Sequence, residues 1–245
     1  MRTGIIVCAA GCGSRVGGEI PKQFIYIGNK CVIDYTLDNI FSSKVFNDII
    51  IMIRPEDFKT GVYSKYVSRG AWLVKGDEEN GQETRKLGLE FCKFVLGYKN
   101  NDLIGIADGN RPFIDSEFYR RLVEDAKEYG TSIPYVIQKE VLVLKDGDKT
   151  FETGHNRNEY LATMAPCFFP FGVLYDAYDI AKENGTLDNS EGQVRVVMDK
   201  LTKMNIRNWL HYVEGKSIYF KITTPDDVEM AKLLMFAKEN KHKLV

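Results

Sequence analysis

Histidine is scarce in this chain and its cysteines show no pairing, and both shortages narrow the chemistry to expect. The three histidines, His155, His211 and His242, stand far apart. Neither a histidine metal site nor a Ser-His-Asp arrangement is therefore expected. The five cysteines (Cys8, Cys12, Cys31, Cys92 and Cys167) are odd in number and scattered. They read as free thiols of a reducing cytoplasm. Cys8 and Cys12 have no second Cys/His pair at a matching spacing, which argues against a zinc site. Long hydrophobic runs are missing too: a stretch such as Thr3 to Ala10 is far too short to cross a bilayer. The N-terminal region carries neither the basic segment nor the cleavage site of a secretion signal. No charge sign is in excess, since 33 Lys+Arg stand against 34 Asp+Glu for a net charge of -1. Bulk composition therefore gives no footprint for nucleic acid. The expectation is a cytoplasmic protein with no membrane and no nucleic-acid partner.

What the chain does have is apolar content and alternation. Apolar residues make up 44% of 245, enough for a continuous core in one large α/β domain or two small ones. Gly4 to Ala9 is a short apolar run ending in glycines, as a buried strand would be. Val32 to Phe41 has helical spacing, with Ile33, Leu37 and Ile40 on one face. Ile49–Ile53 reads as the next strand. Glu83 to Val95 reads as a helix with Leu87, Phe91 and Val95 in line, and Leu103–Ala107 as a third buried strand. Asp115 and Ser116 can cap a helix carrying Phe118, Leu122 and Ala126 that stops at Gly130. The alternation predicts a Rossmann-like, mostly parallel sheet flanked by helices.

The stretch from Ile133 to Tyr160 breaks that pattern. Val136, Ile137 and Val141 to Leu144 lead into the turn Lys145 to Asp148 and then polar sequence. This predicts a protruding β-arm at about 133–160 rather than another βα unit. Val194, Val197, Met198 and Leu201 mark a later helix. Ile218–Ile222 reads as a late strand, and Thr224-Pro-Asp-Asp227 opens the last helix with a cap, a first-turn proline and two acids.

The most informative segment is Ala9-Ala-Gly-Cys-Gly-Ser-Arg15, followed by Pro21-Lys-Gln23, directly after the first strand. Gly11 and Gly13 let backbone N–H groups turn toward a ligand, and a nest of such donors binds phosphate oxygens. Arg15 and Lys22 add a planar fork and a compact point charge at the same mouth. Such a loop beside a strand end suits a triphosphate in the crevice of an open sheet. A P-loop is excluded by the lack of G-x-x-x-x-G-K-[ST], and a dinucleotide site by the lack of an acidic residue closing a second strand.

Other charged candidates follow from their places. Asp108 ends the third strand, where ligands of open sheets bind. It can hold Mg²⁺, directly or through water, while the metal bridges phosphates, or it can cap the turn before Arg111 and Pro112. Arg111 can clamp a phosphate or pair with Asp108. Lys221, between Phe220 and Ile222, is costly on a half-buried strand unless paired. Arg157, in Gly154-His-Asn-Arg-Asn158, reads by composition as an exposed loop arginine.

A-A-G-x-G-x-R followed by P-K-Q resembles the signature of the 2-C-methyl-D-erythritol 4-phosphate and ribitol-5-phosphate cytidylyltransferases. The resemblance runs through nearly the whole chain, which is read as a single nucleotidyltransferase domain, 1–245. Gly76-Asp77 and Gly81 to Thr84 resemble the region that reads cytosine. Ala107 to Pro112 resembles H-D-A-x-R-P, Ala165 to Pro170 resembles the T-P-Q-x-F segment, and Lys221 to Asp227 resembles the closing K-[VI]-T-x-P-[ED]-D. The resemblance implies that CTP is held at Ala9, Ala10, Gly11, Gly13, Gly76, Asp77, Thr84 and Asp108. It implies that Arg15, Lys22 and Lys221 act on the phosphates, with Mg²⁺ at or near Asp108, and that Arg111 and Arg157 hold a small phosphorylated alcohol. It also implies a homodimer in which exchanged arms carry Arg157 into the partner's pocket. Departures fall mainly on the acceptor side. Ala107 stands where the family has histidine, and Leu187-Asp188 replaces its T-D pair. Pro134 to Lys139 lacks its Asp-Thr, and Glu79 or Gly81 falls at its cytosine-side arginine. Two rivals remain: a sugar-1-phosphate nucleotidyltransferase using another nucleoside triphosphate, and an inactive nucleotide-binding homologue.

Overall fold

The structure is a computed structural model. It describes residues 1–11, 20–140, 143–146, 149–152, 156, 159–187, 193–203 and 209–240. In chain order the elements are β1 (Thr3–Cys8), α1 (Val32–Ser43), β2 (Asp48–Ile53), the short α2 (Asp57–Thr60) and α3 (Ser64–Val67), β3 (Ala71–Lys75), α4 (Gly81–Phe94), β4 (Leu103–Asp108) and α5 (Ser116–Tyr129). Then come β5 (Ile133–Ile137), β6 (Val143–Asp146), β7 (Lys149–Glu152), β8 (Leu161–Thr163), β9 (Cys167–Pro170), α6 (Phe171–Glu183), α7 (Gln193–Lys203), β10 (Tyr212–Glu214) and α8 (Pro225–Glu239).

The main sheet has the order β3-β2-β1-β4-β9. β1, β2, β3 and β4 run parallel, and β9 runs antiparallel to β4. Strands β2 and β4 are buried along their whole length and β1 almost so, as expected for strands covered on both faces. Alternation along β1 sorts its side chains between two cores. Ile5 and Val7 pack with Ile33, Leu37 and Leu122 under α1 and α5. Ile6 packs with Leu89, Leu174 and Val197 under α4, α6 and α7. Because β2 lies on one side of β1 and β4 on the other, the chain reverses its winding direction at β1. The C-terminal ends of β1 and β4 therefore frame a crevice, where open α/β sheets bind ligands.

Smaller elements sit beside this body. β5 pairs in parallel with β10 and antiparallel with β8. β6 and β7 form a hairpin of their own, in register from Val143↔Glu152 to Asp146↔Lys149. The hairpin lies inside the expected arm, but the start of that span does not: Ile133 is fully buried and β5 belongs to the small sheet.

The caps fall where expected. Asp115 accepts the Phe118 N–H at 2.9 Å, and Gly130 ends α5 in the left-handed region at φ 85°. Thr224 and Asp227 form a reciprocal capping box at the start of α8. Two expectations need correcting. No strand covers Ile218–Ile222, for Ser217–Tyr219 is a 3-10 turn. The turn rolls Tyr219 into the core against Phe118, with its hydroxyl donating to Asp115. Helix α4 is rotated from the face its apolar stripe predicted. Leu87 and Val95 are exposed, and Gly88, Leu89 and Cys92 face the sheet. Strands β3 and β9 escaped the pattern. β3 is a half-exposed edge carrying Trp72 and Lys75, and β9 turns directly into α6 after four residues. Among the described residues no helix is long and apolar enough to cross a membrane.

Candidate active site

At the crevice Cys8 lies opposite Asp108 in the β1–β4 register. The Gly109 N–H donates to the Cys8 carbonyl at 2.9 Å, and the Ala9 N–H to the Met52 carbonyl at 2.9 Å. These bonds carry the chain out of β1 between its two neighbouring strands. Ala9 and Ala10 are buried and Gly11 is exposed, and Gly13 and Arg15 lie outside the described residues. Gln23 is buried, and its Nε2 donates to the Ala9 carbonyl at 3.0 Å. That bond ties the 3-10 turn Lys22–Phe24 to the glycine loop and sets the half-buried Lys22 beside it.

Gly76 follows β3 and closes on the same loop. A Cβ there would stand 2.5 Å from the Ala10 Cβ and 3.0 Å from the Thr84 Cγ2, so the close approach of the two segments requires glycine. Thr84 is buried, and its hydroxyl donates to the Asp77 carbonyl at 2.8 Å and accepts the Asp77 N–H at 2.9 Å. The Asp77 carboxylate accepts the N–H groups of Glu79 and Asn80, and Asn80 caps α4. Gly76, Asp77 and Thr84 thus form one braced turn against Ala10. In this structure the side chains of Asp77 and Thr84 engage that turn.

The charge centre is Asp108. Its Oδ1 accepts from Lys221 Nζ at 3.1 Å and its Oδ2 from Arg111 Nε at 3.0 Å. A third cation, Arg85 of α4, brings Nη2 to 3.7 Å from Oδ1. Burial alone would raise the Asp108 pKa. The charges of Lys221, Arg111 and Arg85 outweigh it and hold the carboxyl well below the usual carboxylate range. The cations are not equivalent. Arg111 is 12% exposed and also donates to the Tyr219 carbonyl at 2.9 Å, whereas the Lys221 side chain is 30% exposed and reaches the crevice. Of the two readings open for Arg111, the structure displays the pairing with Asp108.

Lys221 sits there without a strand. The Ile222 N–H donates to the Asn110 carbonyl at 3.0 Å, and Asn110 Nδ2 donates back to the Ile222 carbonyl. This clasp from the loop after β4 sets Lys221 over Asp108. Asn110 and Gln23 lay inside the quoted motifs, but their side chains gave no chemical signal of their own. Arg85 carries no motif signal either, and it stands off the stripe of Leu87, Phe91 and Val95. Arg157 lies outside the described residues.

The described residues contain no cluster of three or more His, Cys, Asp or Glu able to hold a metal. The Cys8 thiol is pushed up to about 11 by burial, so it stays protonated at neutral pH. Both Asp108 oxygens are already engaged, Oδ1 by Lys221 and Oδ2 by Arg111, so Mg²⁺ of the kind held by one or two carboxylates plus substrate phosphates would reach this carboxylate through water. Asp108 is the group that would meet such an ion.

One carboxylate against three cations leaves an excess of positive charge at the switch point of an open parallel sheet. That arrangement defines an α/β protein of the open-sheet class whose crevice suits anionic ligands such as phosphates. The family model described as 2-C-methyl-D-erythritol 4-phosphate cytidylyltransferase matches residues 3–237. A protein of that name from Caldicellulosiruptor saccharolyticus is 30% identical over 237 residues, covering 96% of this chain and 98% of the relative. A ribitol-5-phosphate cytidylyltransferase from Lacticaseibacillus paracasei is 26% identical over 238 residues, with 96% and 98% covered. The fold matches the crystal structure of the 2-C-methyl-D-erythritol 4-phosphate cytidylyltransferase of Francisella tularensis, with a TM-score of 0.77, 22% identity, and 95% and 99% of the two chains covered. This chain belongs to the 2-C-methyl-D-erythritol 4-phosphate cytidylyltransferase family and is a nucleotidyltransferase.

Proposed function

We propose that this chain joins CMP from CTP to the phosphate of a small polyol and releases pyrophosphate. The observation that carries the reading is the state of Asp108. It is a carboxylate held ionised by three cations, and therefore a poor proton acceptor. Such a site suits a nucleophile that is already an anion, and a phosphate monoester is one. Its oxygen attacks the α-phosphorus in line and pyrophosphate leaves. The difficulty is to bring two anions together and to stabilise the charge that builds up, so positioning and positive charge supply most of the rate. Lys22, beside the glycine loop, holds the triphosphate together with Arg15. Lys221, whose head reaches the crevice, neutralises the α-phosphate. Arg111 keeps Asp108 in place, and with Arg157 it lends charge to the acceptor side. Asp108 is the residue that would hold Mg²⁺, through water, and the ion would supply Lewis-acid charge to the phosphates.

The relatives named above act on a tetritol phosphate and a pentitol phosphate, which sets the range of acceptors to try. Magnesium-dependent pyrophosphate release is expected with CTP and at least one of these, and much less with UTP or GTP on the same acceptor. Tight CTP binding without turnover on any tetritol or pentitol phosphate would sink the reading.

The working unit is proposed to be a homodimer. Hairpin β6–β7 pairs with no other sheet among the described residues, and an isolated two-stranded hairpin is marginally stable in water. A second copy exchanging the same arm would cover both hairpins and bring Arg157 to the partner's site. Lys22→Ala protein mixed with Arg157→Ala protein should then recover part of the activity, because one site in each mixed dimer keeps both residues. A monomer by sedimentation, or subunits that exchange without complementing, would end the proposal.

A further inference from the structure

Arg85 is an odd residue for its place. It lies one turn before Gly88 on the sheet-facing side of α4, and its side chain is only 17% exposed. Its Nη1 donates to Gln82 Oε1 at 2.9 Å, and the same oxygen accepts from the Tyr178 hydroxyl at 2.9 Å. Gln82 and Tyr178 are both fully buried. This chain of bonds, begun on α6, fixes the plane of the guanidinium. The Arg85 Nε is buried and makes no hydrogen bond among the described residues. Nη2 stops 3.7 Å short of Asp108 Oδ1, the oxygen that Lys221 Nζ occupies at 3.1 Å. Burying a guanidinium is costly and leaving its donors unused more so. A helix needing only to pack here would be served by leucine or methionine.

We propose that Arg85 is a positioning residue for nucleotidyl transfer: it takes over Asp108 Oδ1 when Lys221 leaves that oxygen for the reacting phosphate. Without such a substitute, Lys221 could serve the phosphate only by leaving half of a buried carboxylate unpaired, and that cost would be added to the barrier. With Arg85 poised within ion-pair distance, the exchange needs only a small approach of a guanidinium already held by Gln82. Arg111 keeps Oδ2 throughout, so Asp108 stays ionised and in place. The inference rests on the cytidylyl-transfer reading above, and wild-type turnover in the acceptor panel tests that reading separately.

The test is steady-state kinetics of Arg85→Met and Arg85→Lys, alone and combined with Lys221→Ala, with thermal unfolding of each. Arg85→Met should lower kcat by about 10- to 100-fold, the range for removing an outer partner of a charged ligand, with KM for CTP little changed. In the resting enzyme Asp108 keeps Lys221 and Arg111, and Gln82 Oε1 keeps the Tyr178 hydroxyl, so the substitution strands no buried partner and Tm should fall little. Arg85→Lys keeps the charge but loses the fork, and should recover part of kcat. In the Lys221→Ala background the effect of Arg85→Met should shrink, because no lysine is left to exchange. Wild-type kcat in Arg85→Met, a loss that tracks a falling Tm, or full multiplication of the two defects would each overturn the proposal. Should Arg85→Met not fold, Arg85→Gln takes its place, and wild-type kcat there overturns it equally.

Discussion

Lys221→Ala is expected to lower kcat by about 10²-fold or more, the scale of losing one preorganised electrostatic contact to a developing charge, while KM for CTP moves far less. In the resting site the ammonium is held by Asp108 at 3.1 Å, yet the side chain is 30% exposed. It is therefore paired on one side and open to the crevice on the other. An ammonium is a compact point charge on a flexible stem, able to shift from a carboxylate to a phosphate oxygen. Its strongest interaction is expected as charge accumulates at phosphorus, which separates kcat from ground-state binding. Lys22→Ala should behave alike on the leaving-group side. Single-turnover and steady-state kinetics with saturating CTP decide the matter, and near wild-type kcat in either variant refutes the role given to that lysine.

Asp108→Asn should cost stability as well as activity. Three cations converge on this buried carboxylate, and removing one partner of a buried pair costs about 3 kcal/mol or more. Because those cations depress its pKa in the folded state, the group's stabilising contribution is full above the unfolded pKa of about 4. It falls away as pH drops toward the folded value. The gap between wild type and Asp108→Asn should accordingly be wide at neutral pH and narrow in strong acid. Urea unfolding of both proteins across that pH range measures it. A gap under about 1 kcal/mol at pH 7, or one that ignores pH, would show that the cations find other partners.

Legibility in the sequence followed the range of the interaction involved. Strands β1, β2 and β4 are short apolar runs covered on both faces, and their type follows from composition alone. The caps at Asp115, Gly130 and Thr224 are set within four residues, so they too were readable. Failures came where an element's environment lies elsewhere in the chain. The phase of α4 was read from Leu87, Phe91 and Val95, but the helix turns Gly88 and Leu89 to the sheet. Lys221 stands out by residue type, but the strand expected around it does not form. Its position comes from the Asn110 clasp and from Tyr219 folding under Phe118.

By itself the sequence determined the class of layers, the glycine-rich segment directly after the first strand, and the presence of Asp108 and Arg111 just past β4. Each of these depends on local conformation or on residue type, which neighbouring residues specify. Only the tertiary structure decided that Asp108 is shared by Arg85, Arg111 and Lys221, that Gln23 braces Ala9, and that Gly76 must stay small against Ala10. These contacts join segments that meet because β1 lies between β2 and β4. Strand order is a matter of which surfaces bury one another across the whole chain, and no short window of sequence contains it.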